Sequence, residues 1–71
     1  MKKQKIKIKI NGKIKTIFEK STLFELINQL KIPLNKVAIE LNKQIIDKKQ
    51  IKKIKLKKHD VIEIVHFIGG G

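Results

Sequence analysis

The chain of 71 residues contains no cysteine, no tryptophan, no tyrosine and one proline, and each gap narrows what it can be. Without cysteine, neither a disulfide nor a thiolate metal site can reinforce so small a domain, so its stability must come from one hydrophobic core. The missing thiol also removes a cysteine nucleophile and the usual covalent handle for sulfur. No apolar run approaches the ~20 residues that cross a bilayer as a helix, which points to a soluble protein. Nor does the start resemble a presequence. The first ten residues are built of lysine and isoleucine in alternation, where a signal peptide would carry an unbroken apolar core. A protein of this kind at work in an organelle would be made there.

Acidic side chains are scarce as well: six Asp and Glu stand against 18 basic residues, for a formal net charge of +12. That balance invites a nucleic-acid reading. Yet arginine is also absent, and groove and base recognition leans on its guanidinium fork. Lysine, isoleucine and asparagine are together what an AT-rich coding sequence yields, so the lysines read first as solvated surface. A functional basic surface is the other reading, and it would suit an acidic protein partner as well as RNA.

What is present is strongly patterned. Lys5 to Ile10 alternate with period two, predicting a half-buried strand with Ile6, Ile8 and Ile10 inward and Lys5, Lys7 and Lys9 in water. Asn11-Gly12 follows, a two-residue hairpin signal because both accept positive φ, and Lys13 to Phe18 form the return strand. Thr22-Leu23-Phe24-Glu25 fits a capping box, and Leu23, Leu26, Ile27 and Leu30 make one helical stripe. The helix is predicted over Thr22 to Lys31, ended by Pro33, which pushes Ile32 out of the helical region.

Val37 to Leu41 reads as the third strand, closed by Asn42. The lysine-rich stretch from Lys43 to Asp60 is anchored by Ile45, Ile46, Ile51, Ile54 and Leu56, with a short strand near Gln44 to Ile46 and a helical turn near Lys48 to Ile51. After a turn at His59-Asp60, Val61 to Ile68 is apolar on both faces, which suits a central strand. Hairpin, crossover helix and further strands make the β-grasp plan, an α+β fold: a mixed four- to five-stranded sheet with one main helix on one face. The first and last strands would then lie parallel, side by side. A single domain spans 1–71, with no linker or repeat.

Glu63 cannot sit unpaired in the core without large cost. Ile62 and Ile64 must therefore point inward, which leaves Val61, Val65 and Phe67 outward as an apolar strip, either a docking patch or a surface partly covered by residues 43–60. His59 and His66 lack a second ligand at metal spacing, and His66 reads as a structural or rim residue. Nothing in the spacing brings Asp47 and Glu40 together. The chain reads as no enzyme on its own. Its last residues, Gly69-Gly70-Gly71, have no side chains to clash and can thread a narrow channel, with a terminal carboxylate that is ionised at neutral pH. On the residues alone, they fit a frayed end as well as a working tail.

Combined with the fold, this ending resembles ubiquitin and the sulfur carriers, and most of all the ThiS family. Val37-Ala38-Ile39-Glu40-Leu41-Asn42 is similar to that family's V-A-V-E-x-N strand, and Asp60 to Gly71 is similar to its D-x-I-E-I-V-x-x-V-G-G-G ending. The departures are His59, where the family usually has Gly, and Asp47-Lys48, where it often has Pro-Arg. The resemblance implies that a ThiF-like enzyme uses Mg-ATP to adenylate the Gly71 carboxylate, with no cofactor bound permanently to the chain. A sulfur donor such as a cysteine desulfurase then supplies the sulfur of a thiocarboxylate. It further implies that thiazole synthase, ThiG, takes that sulfur for the thiazole of thiamine. Gly69 and Gly70 would supply reach, and Val65, Phe67 and Ile68 are the candidate docking residues. The implied setting is bacterial cytoplasm or plastid stroma, with no membrane or nucleic-acid partner. The alternatives are a carrier like the small subunit of molybdopterin synthase, a modifier conjugated to lysines, and a basic RNA-binding β-grasp module. The last would use base-stacking aromatics, and Phe18 and Phe24 read as core.

Overall fold

In a computed structural model that describes residues 4–67, the lysine–isoleucine alternation forms β1 (Lys5–Ile10), paired antiparallel with β2 (Lys13–Phe18). Between them Asn11 and Gly12 take φ of 49° and 82°, the two left-handed residues that a tight hairpin turn of this hand requires. Helix α1 (Leu23–Gln29) starts at the reciprocal cap: the Glu25 N–H donates to the Thr22 hydroxyl at 3.1 Å and the Thr22 N–H to the Glu25 carboxylate at 2.8 Å. The next free helical N–H groups, those of Leu23 and Phe24, donate to the carbonyls of Ile54 and Ile51. The lysine-rich segment thereby satisfies the helix start from a distance.

The helix is shorter than the predicted Thr22 to Lys31, and Pro33 does not end it. Lys31 adopts φ of 58°, its N–H donates to the Asn28 carbonyl at 3.0 Å, and the Ile32 N–H donates to the Ile27 carbonyl at 3.2 Å. This is a Schellman stop, with lysine in the place glycine usually takes. A 3-10 turn at Leu34–Lys36, absent from the sequence reading, then leads into β3 (Val37–Leu41). A second two-residue turn, Asn42 and Lys43 at φ of 51° and 70°, joins β3 to β4 (Gln44–Ile45). The turn expected near Lys48 to Ile51 is a 3-10 turn at Lys48–Gln50, capped by Asp47.

The last strand, β5 (Val61–His66), lies in the middle. It runs parallel to β1, pairing Val61 with Lys9 and Ile62 with Ile10, and antiparallel to β3, pairing Ile64 with Ile39. The five-stranded order is β2-β1-β5-β3-β4, the expected β-grasp arrangement, with α1 on one face. Ile8, Ile17, Val37, Ile39, Ile62 and Ile64 meet Leu23, Leu26 and Ile27 of the helix in one core, closed by Ile51 and Leu56. Two expected core residues are not there. Ile45 is 77% exposed and Phe18 48% exposed, because strand alternation turns both to the face opposite the helix. No helix among the described residues is long and apolar enough to cross a membrane.

His59, where glycine is usual in the resembled family, has φ of 72°, while its N–H donates to the Lys7 carbonyl at 2.8 Å. A left-handed backbone costs a residue with a Cβ about 1–2 kcal/mol, and glycine returns part of that as greater freedom of the unfolded chain. His59→Gly should therefore stabilise the fold by up to about 1 kcal/mol, read as a higher urea midpoint at unchanged slope. A lower midpoint would show that the imidazole itself holds the turn.

Candidate functional site

The strand that delivers the chain end is held from both sides. On the β3 side, the Asn42 N–H donates to the Val61 carbonyl at 2.7 Å, and the Val61 N–H returns a bond to the Asn42 side-chain oxygen at 2.9 Å. The Asn42 side-chain amide also donates to the Asp60 carboxylate at 3.0 Å, and the other Asp60 oxygen accepts from the Lys57 N–H at 2.7 Å. On the β1 side, the backbone ladder reaches the Asn11 N–H, which donates to Ile62. The Asn11 side chain then carries it one step further: its oxygen accepts from the Ile64 N–H at 2.8 Å and its amide donates to the Ile64 carbonyl at 3.3 Å. A side-chain amide thus takes the place of a backbone peptide, and β5 stays paired beyond the point where β1 turns away.

Neither asparagine's second role was legible locally. Both occupy turn positions, where positive φ is reason enough for asparagine, and the bond from Asn11 spans 53 positions of sequence. Asn11→Gly keeps the turn and removes both side-chain bonds. It should cost about 1–2 kcal/mol, with faster hydrogen exchange at the Ile64 amide as the local readout.

Along β5, the predicted facing holds. Ile62 and Ile64 are buried, while Val61, Val65 and Phe67 are exposed by 39%, 56% and 54%. From the lysine-rich segment Lys48 reaches this strip, its ammonium 5.3 Å from the centre of the Phe67 ring. The strip stays open otherwise. Ile68, Gly69, Gly70 and Gly71, the other expected docking residue and the expected working tail, lie outside the described residues.

The remaining polar groups do not assemble a catalytic set. Glu40 pairs across strands with Glu63, whereas Asp47 caps its own 3-10 turn. Both histidines are exposed, and His59 lines a surface hollow with Lys7, Ile8, Lys9, Ile14 and Val61. Among the described residues no three His, Cys, Asp or Glu side chains are grouped to hold a metal ion. Each phenylalanine ring carries a lysine ammonium: Lys5 on Phe18 at 5.6 Å, Lys52 on Phe24 at 4.8 Å and Lys48 on Phe67. Those lysines occupy ring faces on which an RNA base would have to stack.

The geometry is shared with known proteins. The crystal structure of the thiamine biosynthesis protein ThiS from Geobacter metallireducens superposes with a TM-score of 0.82 at 29% identity, covering 93% of this chain and 100% of that one. The sulfur carrier protein ThiS of Bacillus subtilis is 38% identical over 65 residues, 90% of this chain and 98% of that protein. The thiazole synthase of Paramagnetospirillum magneticum is 35% identical over 66 residues, which span 93% of this chain but only 20% of that enzyme. The ThiS family profile matches residues 8–71, from the middle of β1 through the three glycines, and the chain belongs to the ThiS family.

Proposed function

We propose that this protein is a sulfur carrier of thiamine biosynthesis and that its working group is the carboxylate of Gly71. One observation carries the reading: the central strand, clamped by Asn11 and Asn42, bears an exposed apolar strip whose last described residue, Phe67, stands just ahead of the Gly69-Gly70-Gly71 sequence. A rigid strand followed by residues without side chains suits a group that must be presented inside another protein's active site.

In this reading the Gly71 carboxylate attacks the α-phosphorus of ATP in a ThiF-like enzyme, and pyrophosphate leaves. Mg-ATP belongs to that partner's reaction and is not held by the carrier. A persulfide sulfur, drawn from cysteine by a desulfurase, attacks the acyl carbon and displaces AMP. Cleavage of the resulting S–S bond by a thiol leaves the thiocarboxylate. The carrier is then a co-substrate of thiazole synthase, to which it gives the sulfur of the thiazole ring. Support for that partner comes from the P. magneticum thiazole synthase, one fifth of which resembles this chain. Val65, Phe67 and Ile68 are the proposed docking residues, and the lysine surface speeds encounter with partners in a salt-dependent way.

The test is pyrophosphate exchange with Mg-ATP and a ThiF-type enzyme, with a protein lacking Gly71 as control, followed by intact mass after a sulfur source is added. Exchange that depends on Gly71, with a mass gain of one oxygen-to-sulfur swap, is the expected result. Absence of exchange with several such enzymes would overturn it.

A further inference from the structure

We propose that the open face of the sheet docks on thiazole synthase by receiving a basic side chain of that enzyme between Glu40 and Glu63. The inference rests on the carrier reading above and adds the chemistry of the contact. Helix α1 covers one face of the sheet, and the registers define the other. Ile14, Lys9 and Val61 form one row across β2, β1 and β5, and Ile45, Glu40 and Glu63 another across β4, β3 and β5. Phe18 lies opposite Lys5, and Val65 and Phe67 follow Val61 along the strand. Every exposed large hydrophobic among the described residues therefore lies on this one face. Apolar exposure concentrated in this way, unlike scattered single residues, marks a contact surface.

The face is divided by charge. Its β1 edge carries Lys5, Lys7 and Lys9, whereas its centre places two carboxylates directly opposite each other on β3 and β5. In a chain with 18 basic and six acidic residues, neither carboxylate has an ion-pair partner among the described residues. Directly opposed like charges weaken a sheet by about 0.2–1 kcal/mol. A cation seated between them would turn that repulsion into attraction. An arginine fork suits the place best, since it can bond two carboxylates at once, and Val61, Val65, Ala38 and Ile45 would keep water from the contact.

Other occupants fit less well. A nucleic-acid phosphate would be repelled by the pair, and a second copy of the chain would bring together two molecules of charge +12. An enzyme working on the chain end, by contrast, must lie close to this face, because the face continues through Phe67 toward the glycines. The contact surface therefore has the opposite sign to the molecule's net charge. The lysines set the long-range field, and the glutamates set the fit.

Binding to the cognate thiazole synthase, measured at low and high salt for the parent, Glu40→Gln, Glu63→Gln and the double variant, tests the inference. Each single change should raise Kd about tenfold, and the double change more. Melting temperature should hold or rise, because a repulsion is relieved. Weaker binding by a protein of equal or greater stability cannot be misfolding. Glutamine variants that bind as tightly as the parent, or more tightly, overturn the inference and leave the carrier reading intact. So does a parent that is loaded with sulfur yet does not bind thiazole synthase. A parent that neither loads nor binds overturns both.

Discussion

One alanine added after Gly71 is expected to reduce sulfur loading by more than about a hundredfold while leaving the melting temperature unchanged. The added residue moves the terminal carboxylate by about 3.5 Å and converts the Gly71 carbonyl to an amide that cannot be adenylated. The new carboxylate then belongs to a residue with a Cβ, at the end of a tail one step too long for the same channel. Residues 4–67 are untouched, so unfolding cannot account for the loss. Intact mass after incubation with Mg-ATP, a ThiF-type enzyme and a sulfur source is the measurement. An extended protein that still gained sulfur would remove Gly71 from the mechanism.

The second large effect falls on stability. Ile62 is fully buried at the middle of the sheet, between Ile10 and Leu41. Ile62→Ala should cost about 3 kcal/mol from lost burial and the cavity left behind. For a domain of this size, that is a large part of a total of roughly 4–10 kcal/mol, and the melting temperature should fall by more than about 10 °C. Val65→Ala, three residues on and facing outward, should change stability by less than about 0.5 kcal/mol and weaken partner binding instead. Urea denaturation of the two variants separates the faces of one strand. Equal losses would mean that the strip is packed in solution.

Much of this architecture could be read from local pattern, because local energetics dominate there. Alternation of lysine with isoleucine has only one pairing that buries the isoleucines. Asn11-Gly12 accepts the turn's backbone without strain, and Thr22 with Glu25 satisfies the helix start reciprocally. The inward facing of Ile62 and Ile64 followed from the cost of burying Glu63. Where local rules were broken, the reading missed. Lys31 ends the helix and Lys43 completes a hairpin, both with positive φ that their side chains disfavour. Nothing in a lysine announces a left-handed residue, and tertiary packing supplies the compensation. Ile45 and Phe18 were placed inside by hydrophobicity, whereas register decided their face.

By itself the sequence determined the strands of the hairpin, the helix cap, the inward side of β5, the absence of a cysteine-based chemistry and the membership signalled by its glycine ending. Each depends on neighbours within a few positions or on composition. Only the tertiary structure decided that Asn11 and Asn42 clamp the central strand, that Glu40 meets Glu63, and that all the exposed apolar residues share one face. Those relations join strands far apart in the chain. Their energies exist only once the sheet has assembled, because a hydrogen bond or a charge repulsion needs both partners within a few ångströms.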